Sequence, residues 1–265
     1  MAKIKINDIA MYYELHGSGE SVVFIAGFGA DHTVWSMLVD QFKDQYQVVV
    51  FDNRGAGQTD VPDGPYSIDA MTNDVIDLCA KLGIKKAHFI GNSMGGFILQ
   101  ALALRAPELV KSAVISHSAA TIQSPFHIYL AAQLEFLKSN MSLAALIKAS
   151  CSWIFSLRFL LMPGMLHQLI QTGLENPYPF TIKGYEGQFA ALEGFDSRDW
   201  ANQIHVPTLL LTSDQDLIFS DASVKALAEQ IPGAKYYCFS ECGHLPQIEH
   251  PEELSQIIQA FITNG

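Results

Sequence analysis

Short apolar runs alternate with stretches of helical spacing along most of this chain, and that alternation limits the possible folds more than any other feature. An apolar run of four or five residues suits a strand buried on both faces. Helical spacing between such runs supplies the crossovers that parallel strands need. Residues 3–7, which alternate polar and apolar side chains, and residues 10–14 read as an opening pair of strands around Asn7-Asp8. Further strands are expected at 22–26, 48–51, 87–90, 114–115, 209–211 and 236–239, with helices at 70–82, 95–105 and 251–262. The expectation is an α/β fold with a mostly parallel, eight-stranded sheet and helices on both faces.

Between 119 and 205 the rhythm stops. This interval is helical in pattern and crowded with aromatic residues, among them Phe126, Tyr129, Trp153, Phe180, Tyr185 and Phe189. A strand enters it, another follows it, and it is too long for a single crossover. It reads as an inserted helical cap (119–205), leaving 1–118 and 206–265 as the sheet core. A length of 265 residues, 49% of them hydrophobic and 16% charged, fits one large domain with such an insertion.

Sixteen Lys and Arg stand against 27 Asp and Glu, a net charge of -11 with no basic stripe, which argues against a nucleic-acid partner. No apolar run reaches the roughly 18 residues of a membrane span, and the start of the chain reads as a strand instead of a signal peptide. Cys79, Cys151, Cys238 and Cys242 form no CxxC pair and no cluster with histidine. They are expected to be free thiols in a reducing cytoplasm.

The chemistry centres on Gly91-Asn92-Ser93-Met94-Gly95-Gly96, which follows a strand and opens a helix. A turn this tight holds Ser93 in a strained conformation. A larger side chain two positions to either side would strike the neighbouring strand and helix. The helix N-terminus favours negative charge developing at the serine. A serine needs a base to become a nucleophile. Of nine histidines, His244 in Cys242-Gly243-His244-Leu245-Pro246 follows the last strand, where a loop can carry it over the sheet edge. An acid that orients this base should follow the strand at 209–211. The loop Thr212-Ser213-Asp214-Gln215-Asp216 offers two aspartates that spacing alone does not separate. The position past 114–115 offers only Ser116, His117 and Ser118.

In their order of nucleophile, acid and histidine, these motifs resemble the α/β-hydrolase superfamily along the whole chain. Asp52-Asn53-Arg54-Gly55-Ala56-Gly57-Gln58-Thr59 is similar to its DxRGxGxS loop, with Thr59 in place of the usual serine. The run from Asp60 to Ser67 extends the likeness toward the branch of 3-oxoadipate enol-lactonases and small carboxylesterases. The family's acid loop aligns Ser213 with a glycine and implies Asp216 as the acid, leaving Asp214 as a solvated loop carboxylate. Gly243-His244 with Glu249 and Pro251 is similar to the family's GHxxxxExP pattern.

The resemblance thus implies Ser93, Asp216 and His244 as catalytic residues. It also implies an oxyanion hole made by the backbone N–H groups of Phe28 and Met94. Ala26-Gly27-Phe28 is similar to the family's HGx loop, with Ala26 where a histidine is usual. Gly27, His117, Trp153 and Leu245 are expected to line the substrate pocket, with Asp31 and His32 at its rim. Asp52 and Arg54 are expected to tie down their own loop, and Asp196, Arg198 and Asp199 to form surface pairs. No metal and no cofactor is required.

The implied reaction is hydrolysis of an ester, lactone or thioester through an acyl-serine. A small apolar substrate is favoured because the 119–205 interval is rich in aromatic residues and offers few cations, namely Lys138, Lys148, Arg158, Lys183 and Arg198. Two alternatives stay open. One is a C–C bond hydrolase of ring-fission products, although that group commonly has tryptophan where Leu245 stands. The other is a ligand-sensing receptor that keeps the same three residues.

Overall fold

A computed structural model describes residues 2–122 and 124–264. The chain first reverses at Asn7, whose φ of 47° lies in the left-handed region. There β1 (Ala2–Ile6) and β2 (Ile9–His16) pair antiparallel, with Ile6 opposite Ile9. The strands β3 (Glu20–Ile25), β4 (Tyr46–Phe51), β5 (Ala87–Asn92), β6 (Val110–Ser116), β7 (Thr208–Ser213) and β8 (Lys235–Phe239) complete an eight-stranded sheet in the order β1-β2-β4-β3-β5-β6-β7-β8. The β2–β4 pair is antiparallel and every pair from β4 to β8 is parallel, as the alternating pattern predicts.

Helices cover both faces: α1 (Ser36–Phe42), α2 (Ile68–Lys81), α3 (Met94–Arg105), α4 (Ser124–Lys138), α5 (Leu143–Ile154), α6 (Leu157–Leu160), α7 (Met165–Glu175), α8 (Ile182–Glu193), α9 (Asp221–Gln230), α10 (Pro246–Glu249) and α11 (Pro251–Asn264). Side chains alternate across a strand, and the core divides accordingly. Val22, Phe24, Val48 and Val50 join Leu38 and Phe42 of α1 and Leu254 and Ile258 of α11. Val23, Ile25, Val49 and Phe51 join Met71 and Val75 of α2, Phe97 and Ile98 of α3, and Val224 and Leu227 of α9. Burial on both faces explains why these strands are continuous apolar runs.

The helices between β6 and β7 differ in how deeply they sit. No residue of α7 is buried, and α5 buries only Leu146 and Cys151. In contrast, α8 lies against the loop that follows β4. A Cβ on Gly184 would stand 2.1 Å from the Gly55 carbonyl oxygen. The N–H of Tyr66 donates to the Gly187 carbonyl at 3.2 Å. Tyr185, Phe189, Ala191 and Leu192 of α8 belong to the same core as α2 and α3.

Candidate active site

Ser93 occupies the turn between β5 and α3 with φ 56° and ψ -120°. For a residue with a Cβ, such a conformation costs on the order of 1–3 kcal/mol and persists only where its surroundings enforce it. Here they do. The Ser93 N–H donates to the Ser116 carbonyl at 2.9 Å. A Cβ on Gly91 would come within 2.2 Å of the Gly95 oxygen, and one on Gly95 within 2.2 Å of the Ile25 oxygen. Only glycine fits either position.

His244 follows β8 on a loop held from three sides. Its Nδ1 meets Asp216 Oδ2 at 2.9 Å, and its N–H donates to the Ile154 carbonyl at 2.6 Å. Glu249 accepts from the N–H groups of Gly243 (3.0 Å) and Ser156 (3.1 Å) and from the Ser156 hydroxyl. The second oxygen of Asp216 accepts from Ile218 N–H (2.7 Å) and Phe219 N–H (3.1 Å). Burial alone would raise the Asp216 pKa. The electrostatic interaction and hydrogen bond with His244, with the Ile218 N–H, outweigh burial and hold the carboxyl below its ordinary value. Asp214 is exposed and makes no contact with the His244 ring. Its carboxylate accepts from the N–H groups of Glu241 (3.0 Å) and Cys242 (3.3 Å) and so ties down the histidine loop.

A cavity of about 420 Å³ opens above the C-terminal edge of the sheet, under α4, α5 and α7. Ser93 and His244 both line it, together with Gly27, Phe28, Trp153 and Leu245. Gly27 adjoins the serine, since a Cβ there would meet Ser93 Cβ at 3.1 Å. Among the described residues the lining contains no Lys, Arg, Asp or Glu. Its main polar feature under the helices is a seam in which Gln133 Nε2 donates to Ser150 Oγ (2.6 Å) and Tyr129 Oη (3.1 Å). Arg158 lies outside the cavity, exposed and paired with Glu241 at 3.3 Å.

The two expected main-chain donors have different settings. Met94 is the first residue of α3, where leading N–H groups have no intrahelical acceptor. Phe28 sits in the loop after β3, and among the described residues its N–H has no acceptor in the protein.

Three expected pocket residues do not line the cavity. His117 is fully buried beside His244, with ring centroids 5.9 Å apart, and does not line the cavity. The chain turns there at φ 50°, and both ring nitrogens are engaged, Nδ1 with Ser116 Oγ at 2.8 Å and Nε2 with Ser213 Oγ at 2.6 Å. Burial pushes the His117 pKa down to about 3, with His244 adding to the effect and Asp216 opposing it, so the ring is neutral. Asp31 and His32 do not themselves line the cavity, where Ala30 and Val34 stand instead, although Asp31 adjoins it and accepts from Asn176 Nδ2 of the lining at 3.2 Å. Asp31 accepts from Thr33 N–H, and His32 binds Asp52 Oδ1 through its N–H (2.7 Å) and Nδ1 (2.8 Å).

Asp52 and Arg54 tie down their own loop, the latter through Asp74 at 2.6 and 2.8 Å. Asp196 pairs with Arg198 on the surface. Gln188 escaped the sequence reading, although its side chain joins α8 to the loop of Phe28. A polar residue on an amphipathic helix gives no signal of such a contact.

Residues 20–251 match the family described as the alpha/beta hydrolase fold. The chain is 30% identical over 243 residues to 3-oxoadipate enol-lactonase 1 of Acinetobacter baylyi, covering 91% of this chain and 88% of the relative. It is 28% identical over 262 residues to 3-oxoadipate enol-lactonase 2 of the same organism, covering 96% and 94%. Among solved structures, the enol-lactonase from Burkholderia xenovorans LB400 superposes with a TM-score of 0.89 at 26% identity, covering 99% of this chain and all of that one. With its sheet order, its serine turn and a family match over most of its length, the chain is a hydrolytic enzyme of the α/β-hydrolase fold family.

Proposed function

We propose that the enzyme cleaves an ester, lactone or thioester bond of a small, uncharged and largely apolar substrate through an acyl-serine intermediate. The observation that carries this reading is the shared cavity. Ser93 and His244 face one space that, among the described residues, no Lys, Arg, Asp or Glu lines, and Asp216 holds the other side of the histidine ring.

With Nδ1–H donated to Asp216, Nε2 is left as the base. It takes the Ser93 proton as the oxygen attacks the acyl carbon, and Asp216 stabilises the imidazolium so formed. The carbonyl oxygen, now negative, accepts from Phe28 N–H and Met94 N–H. The C–O or C–S bond then breaks, and His244 returns its proton to the leaving group. Water, deprotonated by the same nitrogen, attacks the acyl-serine and releases the acid. Gly27, Trp153 and Leu245 serve as cavity walls. The 119–205 interval acts as the cap, with α4, α5 and α7 as its roof.

A lactone is a cyclic ester, so the names of the relatives fit the same chemistry. The relatives are named for an enol-lactone of 3-oxoadipate, a dicarboxylic acid of which lactone closure leaves one carboxylate free, and among the described residues this cavity offers it no Lys or Arg. An uncharged ester or lactone is therefore preferred here. Four free cysteines support a reducing, cytoplasmic setting. No described helix is long and apolar enough to cross a membrane.

Labelling with an alkyl fluorophosphonate tests the reading. Wild type should be labelled and lose its activity on butyrate esters, and Ser93→Ala should neither react nor turn over. Equal labelling of both proteins would remove Ser93 from the chemistry.

A further inference from the structure

We propose that Gln188 is a positioning residue for the oxyanion hole, holding the Phe28 loop in its donating geometry from outside the sheet. The inference rests on the acyl-serine reading above and adds to it a role for α8.

The loop that supplies Phe28 cannot brace itself. Ala26, Gly27, Phe28, Gly29 and Ala30 carry no polar side chain. One internal hydrogen bond, from Ala30 N–H to the Gly27 carbonyl, spans the loop at 3.3 Å. Asn53 Nδ2 donates to the Ala26 carbonyl at 3.0 Å and so secures only the entrance. At the exit, Gly29 has φ 68°, a conformation open to glycine and one that leaves the neighbouring peptide planes easy to rotate.

Gln188 supplies the missing brace. Its Oε1 accepts from Gly29 N–H at 2.9 Å, and its Nε2 donates to the Arg54 carbonyl at 2.9 Å. The side chain is fully buried. A backbone N–H only donates and a backbone carbonyl only accepts, so the amide has one workable orientation. Fixing Gly29 N–H fixes the plane of the Phe28–Gly29 peptide, and with it the range open to the preceding Gly27–Phe28 peptide, whose N–H is the donor. The Phe28 ring is held from the same direction, edge-on to Tyr185 at 4.8 Å and to Phe180 at 5.3 Å.

A brace is useful only if its own footing is firm. Gly184 and Gly187 let α8 sit directly on the loop after β4, with Tyr66 N–H bonded to Gly187, and its apolar face is part of the main core. A residue needed only to fill this space could be Leu or Met. A buried amide bonded to two separate loops, one of them beside Ser93, favours orientation over filling.

Losing one oxyanion donor outright costs about a hundred- to a thousandfold in kcat. A donor left in place but free to rotate should cost less, roughly tenfold, by the same principle. The comparison uses wild type, Gln188→Met (similar size, both hydrogen bonds lost) and Gln188→Glu (acceptor for Gly29 kept). It reads kcat and KM on p-nitrophenyl butyrate and the affinities for two ketones. A trifluoromethyl ketone with a butyl chain adds the Ser93 oxygen to its carbonyl and presents an oxyanion. The matching methyl ketone binds without that addition.

In Gln188→Met, kcat should fall roughly tenfold with KM nearly unchanged. Trifluoromethyl ketone affinity should fall by the same factor, methyl ketone affinity should hold, and Gln188→Glu should recover part of the loss. Unchanged kcat in Gln188→Met overturns the inference. So does an equal loss of affinity for both ketones, the mark of a general disturbance of the cavity. If Gln188→Met does not fold, Gln188→Glu decides by the same two ketones, a selective loss for the fluorinated one supporting the inference and equal losses refuting it. Wild type that neither hydrolyses the ester nor binds the trifluoromethyl ketone more tightly than the methyl ketone would sink the acyl-serine reading itself. Wild type that does both, matched by Gln188→Met, would sink only the role of Gln188.

Discussion

Asp214 and Asp216 differ by a single turn of chain, yet their carboxylates accept from different groups. Asp216 faces the His244 ring and two N–H groups of its own loop, and Asp214 faces the N–H groups of residues 241 and 242. Replacing Asp216 by Asn removes the charge that stabilises imidazolium; with its one oxygen held by Ile218 and Phe219 N–H, the amide turns its NH2 toward His244 Nδ1 and reverses the tautomer. A loss of about 10⁴ in kcat is expected. Asp214→Asn keeps one acceptor oxygen for the loop and should cost no more than a few-fold. Steady-state kinetics on a butyrate ester would rank the two, and the reverse order would move the acid to Asp214.

From spacing alone these residues were equivalent, because the contact that separates them spans 28 residues and two loops. His117 shows the opposite difficulty. Its place after a strand suggested the pocket, but the sequence does not display a positive φ or two waiting hydroxyls.

At the scale of elements, most of the sheet was legible because burial on both faces leaves unbroken apolar runs such as Val22 to Ile25. The short helices α1 and α9 left a weaker trace, since with seven and ten residues they hold only three buried positions each. In α8, Gly184 and Gly187 lower helix propensity but allow the close approach to Gly55 and Tyr66.

The junction between β2, β4 and the segment before α1 carries a pH dependence. His32 is partly desolvated, which would lower its pKa. The hydrogen bond and charge of Asp52, aided by Glu14 and Asp31, more than compensate and raise it above 6.5. A raised histidine contributes stability that is fully present below its unfolded pKa and is lost as pH rises through the folded one. Wild type should therefore lose stability as pH rises above about 6.5 through the raised value, and His32→Gln should flatten that decline. Thermal melts across neutral to alkaline pH would show it, and parallel curves for the two proteins would refute it.

For the molecule as a whole, charge and cavity point the same way. A net charge of -11 repels anions at a distance, and among the described residues the lining has no Lys or Arg to partner them on arrival. Ethyl or p-nitrophenyl butyrate should therefore have a kcat/KM at least tenfold above that of the matched succinate half-ester, since burying an unpaired carboxylate costs several kcal/mol. A preference for the half-ester would require a cation to reach the cavity on binding, and Arg158 with its weak surface pair would be the first to replace.

The histidine loop and the roof are stitched together, with His244 N–H on the Ile154 carbonyl and Glu249 bridging Gly243 to Ser156. The stitch turns size into a criterion for chemistry as well as for fit. A guest bulky enough to pry up the end of α5 would pull on the same strand of contacts that orients His244. Esters too large for the cavity are then expected to bind without turnover, seen as competitive inhibition of butyrate hydrolysis with no product of their own; simple failure to bind would refute this.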